Sequence, residues 1–228
     1  MIMSCHQPQY LPWLGYIDKI RASDVFVYLE RVQYKKREYQ NRNRIKTKDG
    51  PLSLAVPVKT KDKYDQLICD VEIDNTDDWR KKHWRAIEVN YHKAPHFNDH
   101  KDFFEDLYLR EWRMLAPLNE HIIGYILEYL QIVTPIQSDL ALDVHAKSTD
   151  RIIEICKAVG ADAYLSGAGG KSYLEEEKVA SHGIRLSYQD FKHPEYPQLY
   201  GEFIPYLSTI DLLFNCGKES ANILIGKL

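Results

Sequence analysis

The chain has 228 residues, enough for one large domain or two small ones with a buried core. Hydrophobic residues make up 44% and charged residues 28%, an ordinary globular composition, and a formal net charge of −3 argues against general nucleic-acid binding. Cys5, Cys69, Cys156 and Cys216 are widely spaced with no CxxC pair, no signal-peptide pattern opens the chain, and no stretch approaches the roughly 18 apolar residues of a bilayer span, so a cytoplasmic, thiol-reducing setting is expected.

The first elements are a short apolar strand from Met1 to Ser4, a loop HQPQYLPWLG, a helical turn or two from Gly15 to Arg21, and a second strand, Asp24 to Leu29. This order reads as a βαβ unit, whose right-handed crossover makes a parallel sheet. Residues 31–48 then carry eight Lys/Arg and one acid, Glu38, before the Asp49-Gly50 turn signal. With the strand candidate Leu52 to Val58, they predict a hairpin whose first arm is basic. Leu67 to Ile73 is a further strand candidate.

From Asp77 to Gln131 the period becomes helical: Trp79, His83, Ile87 and Tyr91 recur at four-residue steps, and Pro95 and Pro117 punctuate the block. The last third returns to α/β. A helix over Arg151 to Val159 stops at Gly160, a strand covers Ala161 to Leu165, and a loop SGAGG leads to a helix opening at Lys171. Ile184 to Tyr188 is another strand, and Leu207 to Phe214 the last helix. The fold class expected is α/β, a mostly parallel Rossmann-like sheet with a basic hairpin, as one domain over 1–228 with a helical insertion at about 76–132.

Two glycine-bearing loops, HQPQYLPWLG and SGAGGKSY, each follow a strand and precede a helix. In a parallel sheet such loops emerge together at the carboxyl ends of the strands, where ligands bind. A helix N-terminus behind each would favour phosphate or carboxylate. SGAGGK lacks the GxxxxGK[ST] spacing of a Walker A loop and also fits a plain tight turn; Lys171 is what gives it a functional reading. In the first loop His6 is the candidate general base, and Gln7 and Tyr10 would fix a polar substrate. A histidine packed under Trp13 is the structural alternative. Strand alternation turns Cys5 away from His6, toward the core. In Gln40-Asn-Arg-Asn-Arg-Ile-Lys46, Arg42 or Arg44 could fork onto a phosphate or carboxylate and Asn41 meet a sugar hydroxyl, or the run could be a solvated face. The histidines His92, His96 and His100 are spaced for ligation on one helix, but Pro95 interrupts it, and no metal is expected.

Taken together, HQPQYLPWLGYIDKI, VQYKKREYQNRNRIKTKDG, ADAYLSGAGGKSYLE and PQLYGEFIPYLSTIDLLFNCG resemble the successive signatures of the WbqC-like family. That resemblance implies a role in O-antigen or other surface-polysaccharide biosynthesis, as a glycine or aminoacyl transferase. It adds Trp13, Lys19, Ser166, Gly167 and Tyr173 to His6, Gln7, Tyr10, Asn41, Arg42 and Lys171 as site residues. The expected ligands are a nucleotide-sugar or other phosphate-bearing small molecule and an aminoacyl donor. A looser likeness, His6-Gln-Pro8 followed by Gly15-Tyr16, is to the (H/T)xGH region of nucleotidylyltransferases, with Tyr16 in place of the second histidine. An ATP-using enzyme of that type and a non-catalytic partner of polysaccharide enzymes are the alternatives.

Overall fold

The computed structural model describes residues 1–227. It opens with β1 (Ile2–His6), α1 (Leu14–Arg21) and β2 (Val25–Tyr28), and β1 pairs with β2 in parallel, His6 opposite Tyr28. The basic hairpin is β3 (Arg42–Thr47) and β4 (Gly50–Ala55), antiparallel, with Gly50 at φ +108 where a side chain would be strained. Helices α2 (Trp79–Tyr91), α3 (Phe97–Leu109) and α4 (Leu115–Tyr129) form the helical block, and Trp79, His83, Ile87 and Tyr91 are its buried four-residue stripe. There follow β5 (Ile136–Ser138), α5 (Ser148–Val159), β6 (Ala163–Ser166), α6 (Glu176–Ser181), β7 (Arg185–Tyr188), α7 (Thr209–Cys216) and α8 (Ser220–Leu224).

Three expectations change. Leu67 to Ile73 is not a strand but a 3-10 turn at Ile68–Asp70, because Asp70 N donates to Leu67 O and Val71 N to Ile68 O, using amides a ladder would need. The segment after Gly167 is a 3-10 turn, Ala168–Ser172, and the α-helix starts only at Glu176. Two adjacent glycines are poor helix formers, so no α-helix N-terminus stands directly behind them. Finally, the first arm of the hairpin is paired only from Arg42 onward and not across 31–48, with Asn43 and Ile45 turned inward and Arg44 outward.

The strands β5-β2-β1-β6-β7 make one parallel sheet in that order. Counted along the chain these are the third, second, first, fourth and fifth strands of the sheet, the Rossmann-like order, which reverses direction between β1 and β6. Alternation sorts the two faces. Met3, Cys5, Val25 and Val27 pack with α5 residues such as Ile152 and Ile155, while Phe26 and Tyr28 join the larger core of α1, the hairpin and the helical block. Both the hairpin and the helical block enter between β2 and β5. The segment just before the hairpin, with Lys35, Glu38, Tyr39 and Gln40, supplies one wall of the crevice that the strand-order reversal opens.

Candidate functional site

A cavity of about 490 Å³ lies at the carboxyl ends of β1 and β6, and a second lobe of about 380 Å³ adjoins it toward the end of β7. His6, Gln9, Trp13, Lys19, Gly167 and Gly169 line both lobes. The two glycine-bearing loops therefore meet at one rim of the sheet, at the position where α/β folds bind ligands.

The first loop holds its shape because its backbone is tied down residue by residue. The Asn119 amide on α4 donates to Pro8 O at 3.1 Å and to Gln40 O at 2.7 Å, joining the loop to the basic arm. Tyr10 N donates to Tyr39 O at 3.2 Å, Asn43 donates to Leu11 O, and Thr209 N donates to Pro12 O at 2.8 Å. Those bonds hold Leu11 at φ +46, a conformation a leucine adopts only when its surroundings fix it. Gly15 has a steric reason: a Cβ there would fall 2.1 Å from Trp13 Cη2, so the indole packs directly on glycine backbone. The Trp13 ring meets Phe191 and Tyr206, with centroids 5.6 and 5.9 Å away, and forms a cavity wall. In the second loop a Cβ on Gly170 would fall 2.0 Å from Ser166 Oγ, which accounts for that glycine too.

Lys19 is the principal charge of the site. It is only 4% exposed, and its ammonium donates to Cys5 O at 3.2 Å. Among the described residues no carboxylate stands within ion-pair distance of it. Burial pushes its pKa down to about 8, so it remains mostly protonated at neutral pH. Cys5, beside it, is 3% exposed and sits 3.6 Å from the Tyr164 hydroxyl; burial raises its thiol to about 11, which keeps it protonated and poorly nucleophilic.

His6 is half-buried, and burial together with the Lys19 charge holds it down at about 3. The ring is therefore neutral across the physiological range. Its Nδ1 lies 3.2 Å from Gln7 O, which can only accept, so the proton is assigned to Nδ1 and Nε2 keeps a lone pair. Such a histidine accepts a hydrogen bond well and holds a transferred proton badly. Its surroundings suit the expected general-base role less than that of an acceptor.

Of the remaining expected site residues, Gln7, Trp13, Ser166, Gly167 and Tyr173 line the main cavity with His6 and Lys19. Four do not. Tyr10 is fully buried, its hydroxyl 2.8 Å from His83 Nδ1 and 2.6 Å from the Tyr108 hydroxyl, so it anchors the loop to the helical block. Asn41 is buried and donates to Val56 O at 2.8 Å. Arg42 lies in a separate groove on the hairpin. Lys171 is exposed, its ammonium 5.2 Å above the Tyr188 ring.

Gln9 and Gln189 are not singled out by the sequence, and Gln40 only as the first residue of the donor-dense run to Lys46. Gln9 is 4% exposed, lines both lobes, and its Oε1 is buried without a hydrogen-bond partner. Gln40 lines the main lobe and accepts from Lys35 N at 3.0 Å. Gln189 follows β7; its backbone N donates to Ser166 O at 2.8 Å and its side chain to Gly15 O at 2.9 Å and to Asp18 at 2.8 Å, joining the starts of α1 and of the second loop. The rule that ligands sit beyond strand ends, applied to the strand Ile184 to Tyr188, points to Gln189; nothing local distinguishes Gln9 from Gln7. Among the described residues no three His, Cys, Asp or Glu side chains gather as a metal would require, and no helix is long and apolar enough to cross a membrane.

The chain is 38% identical over 220 residues to an uncharacterized protein, Rv1507c, of Mycobacterium tuberculosis strain ATCC 25618 / H37Rv, covering 96% of this chain and 95% of that protein. No solved structure matches. The WbqC-like protein family matches residues 7–223, a span that takes in the first loop from Gln7 onward, the second loop, the hairpin, the helical block and every strand of the sheet but β1, and the chain belongs to that family.

Proposed function

We propose that the chain is a transferase of surface-polysaccharide biosynthesis that acylates, with a glycyl group as the acyl unit, the amine of a nucleotide-linked amino sugar. The observation that carries this reading is Lys19, a buried cation in a cavity wall with a single carbonyl as its partner. An anion entering the cavity supplies the missing countercharge where the local dielectric is low and the pairing strong. Gln9 Oε1, buried and unpartnered, calls for a donor on the same ligand, such as a hydroxyl or an amine. A phosphate-bearing amino sugar offers both.

In the transfer the sugar nitrogen attacks the acyl carbonyl, a C–N bond forms, and the bond to the departing group breaks. His6, neutral, accepts a hydrogen bond from the attacking amine and orients its lone pair. With a pKa of about 3 it does not retain the proton, which leaves on the departing group. Trp13 supplies an apolar wall against a sugar or base face, and Ser166 lies at the rim beside Gly167.

Thermal-shift measurement against UDP-sugars, dTDP-sugars, ATP and aminoacyl donors tests the reading. A ligand at a hundred times its Kd stabilises by about 2.7 kcal/mol, roughly 5–10 °C for a chain of this size. Sugar nucleotides are expected to raise the Tm of the wild type and not of Lys19→Met. Stabilisation by ATP alone would favour the nucleotidylyltransferase-like alternative, and stabilisation by none of these a non-catalytic partner.

A further inference from the structure

The basic arm over residues 31–48 is not one charged face. Lys46, on the side of β3 that carries Arg44, is covered by the segment 198–202 and donates to Gln198 Oε1 at 2.9 Å, Lys36 lies 5.7 Å over the Tyr64 ring, and Lys35 lines the main cavity. Arg37, Arg42 and Arg44 go elsewhere: together with Ser53 and Asn43 they line a groove of about 240 Å³. Glu38 and Tyr39 line this groove and the main cavity alike, so the two share a wall at that pair of residues.

Three guanidiniums held in one groove repel one another unless an anion or solvent intervenes. Among the described residues none of the three forms an ion pair, although most other arginines near an acid do. Arg42 Nε is moreover buried and without a partner. The backbone builds the arrangement in. Arg37 sits at φ +68, and Arg42 and Arg44 occupy successive outward positions of β3, where Arg44 pairs with Ser53 of β4. Guanidinium forks of this kind match the oxygens of a phosphate, and a hydroxyl such as that of Ser53 adds a donor.

We propose that the Arg37–Arg42–Arg44 groove is a second anion subsite, which holds a phosphate-bearing cosubstrate across the Glu38–Tyr39 wall from the ligand of the Lys19 cavity. The identification of that cosubstrate as the acyl donor rests on the transferase reading; the binding of a phosphate there does not. Two substrates of a group transfer must approach each other, and adjoining cavities with a shared wall allow it. Glu38, the one acid in the wall, stands where it would disfavour a single continuous polyanion running through both cavities.

Isothermal titration of the full chain with inorganic pyrophosphate tests this. The wild type is expected to take up two equivalents. Arg42→Gln/Arg44→Gln, at positions partly or fully exposed, and separately Arg37→Gln on its exposed loop, are expected to lose one equivalent, or to weaken it at least tenfold, while the other is kept. Lys19→Met is expected to show the reverse pattern. A single equivalent abolished by Lys19→Met and untouched by every arginine change would overturn the second subsite and leave the first standing. A single equivalent lost only in the arginine variants would leave the subsite and remove the reading of the main cavity. Uptake that remains at two equivalents in the arginine variants would overturn the subsite as well, and circular dichroism of each variant shows whether its fold is intact.

Discussion

The Lys19 ammonium stands 3.2 Å from the Cys5 carbonyl oxygen, its one hydrogen-bond partner among the described residues. A lysine nearly excluded from water is costly when charged, and the cost falls on the folded state alone. It persists here at the reversal point of the sheet, under two loops whose backbone is fixed by distant residues.

Lys19→Met should therefore stabilise the free protein while removing its affinity for anions. With the folded pKa near 8 and the ordinary lysine value at 10.5, the gain is about 3 kcal/mol at neutral pH. The sign over pH is fixed. Between about 8 and 10.5 the unfolded chain binds more protons at this residue than the folded one, so this contribution makes the wild type more stable as pH rises through that window. The advantage of the methionine variant should shrink over the same range, which chemical denaturation of both proteins at pH 7 and pH 10 would measure.

Gly15→Ala should cost cavity function more than fold. The new methyl would overlap the Trp13 indole, which must swing out of the wall. Ligand affinity is expected to fall at least tenfold, with a loss of about 1–3 kcal/mol in stability, the range for overpacking a fitted site. Comparing the fluorescence of Gly15→Ala with that of Gly15→Ala/Trp13→Phe would show whether the Trp13 emission has moved to a wetter environment.

Asn119→Ala should loosen the first loop without touching a ligand. It leaves Pro8 O and Gln40 O without their donor, each a buried acceptor worth about 1–3 kcal/mol when unmade. Amide hydrogen exchange is expected to quicken across residues 7–13 and 39–41 and to stay unchanged in β6 and β7.

Tyr10→Phe separates anchoring from binding. The hydroxyl bridges His83 and Tyr108 and lies outside the cavity, so its removal should lower stability by about 1–2 kcal/mol and leave ligand affinity within twofold. A large loss of affinity at unchanged stability would place Tyr10 in the site after all.

Glu120 is a separate pH-dependent feature. Burial and the neighbouring Glu30 carboxyl raise it to about 7, and Glu30 in turn is bonded to the Ser138 hydroxyl. The folded state holds the extra proton between the ordinary value of 4.5 and about 7, so this contribution to stability is present at low pH and is lost as pH rises through that interval. Glu120→Gln should flatten the fall; thermal melts at pH 5 and pH 8, compared with wild type, measure it.

Much of this was legible in the sequence where periodicity spoke. The four-residue stripe from Trp79 to Tyr91 and the apolar run at Val25–Tyr28 each matched one element. β5 was not legible, because Ile136–Ser138 is three residues long with a single apolar side chain and gains its identity only by pairing with β2. Tyr10 was read into the pocket because its partners, His83 and Tyr108, lie 73 and 98 residues further on. Gln9 was passed over for the converse reason: its lack of a partner is a property of the folded cavity. Lys19 and Trp13, which line the cavity, entered through family resemblance, and the physical reason for each came from burial and close packing.

The most direct test is the titration of the Lys19 ammonium itself, followed by 15N NMR of lysine-labelled protein with Lys19→Met for assignment, in the absence and presence of pyrophosphate. Lys19 is expected to titrate near 8 when free and to move upward by a unit or more once the anion is bound. A Lys19 that titrates at the ordinary lysine value and does not respond to the anion would contradict the account.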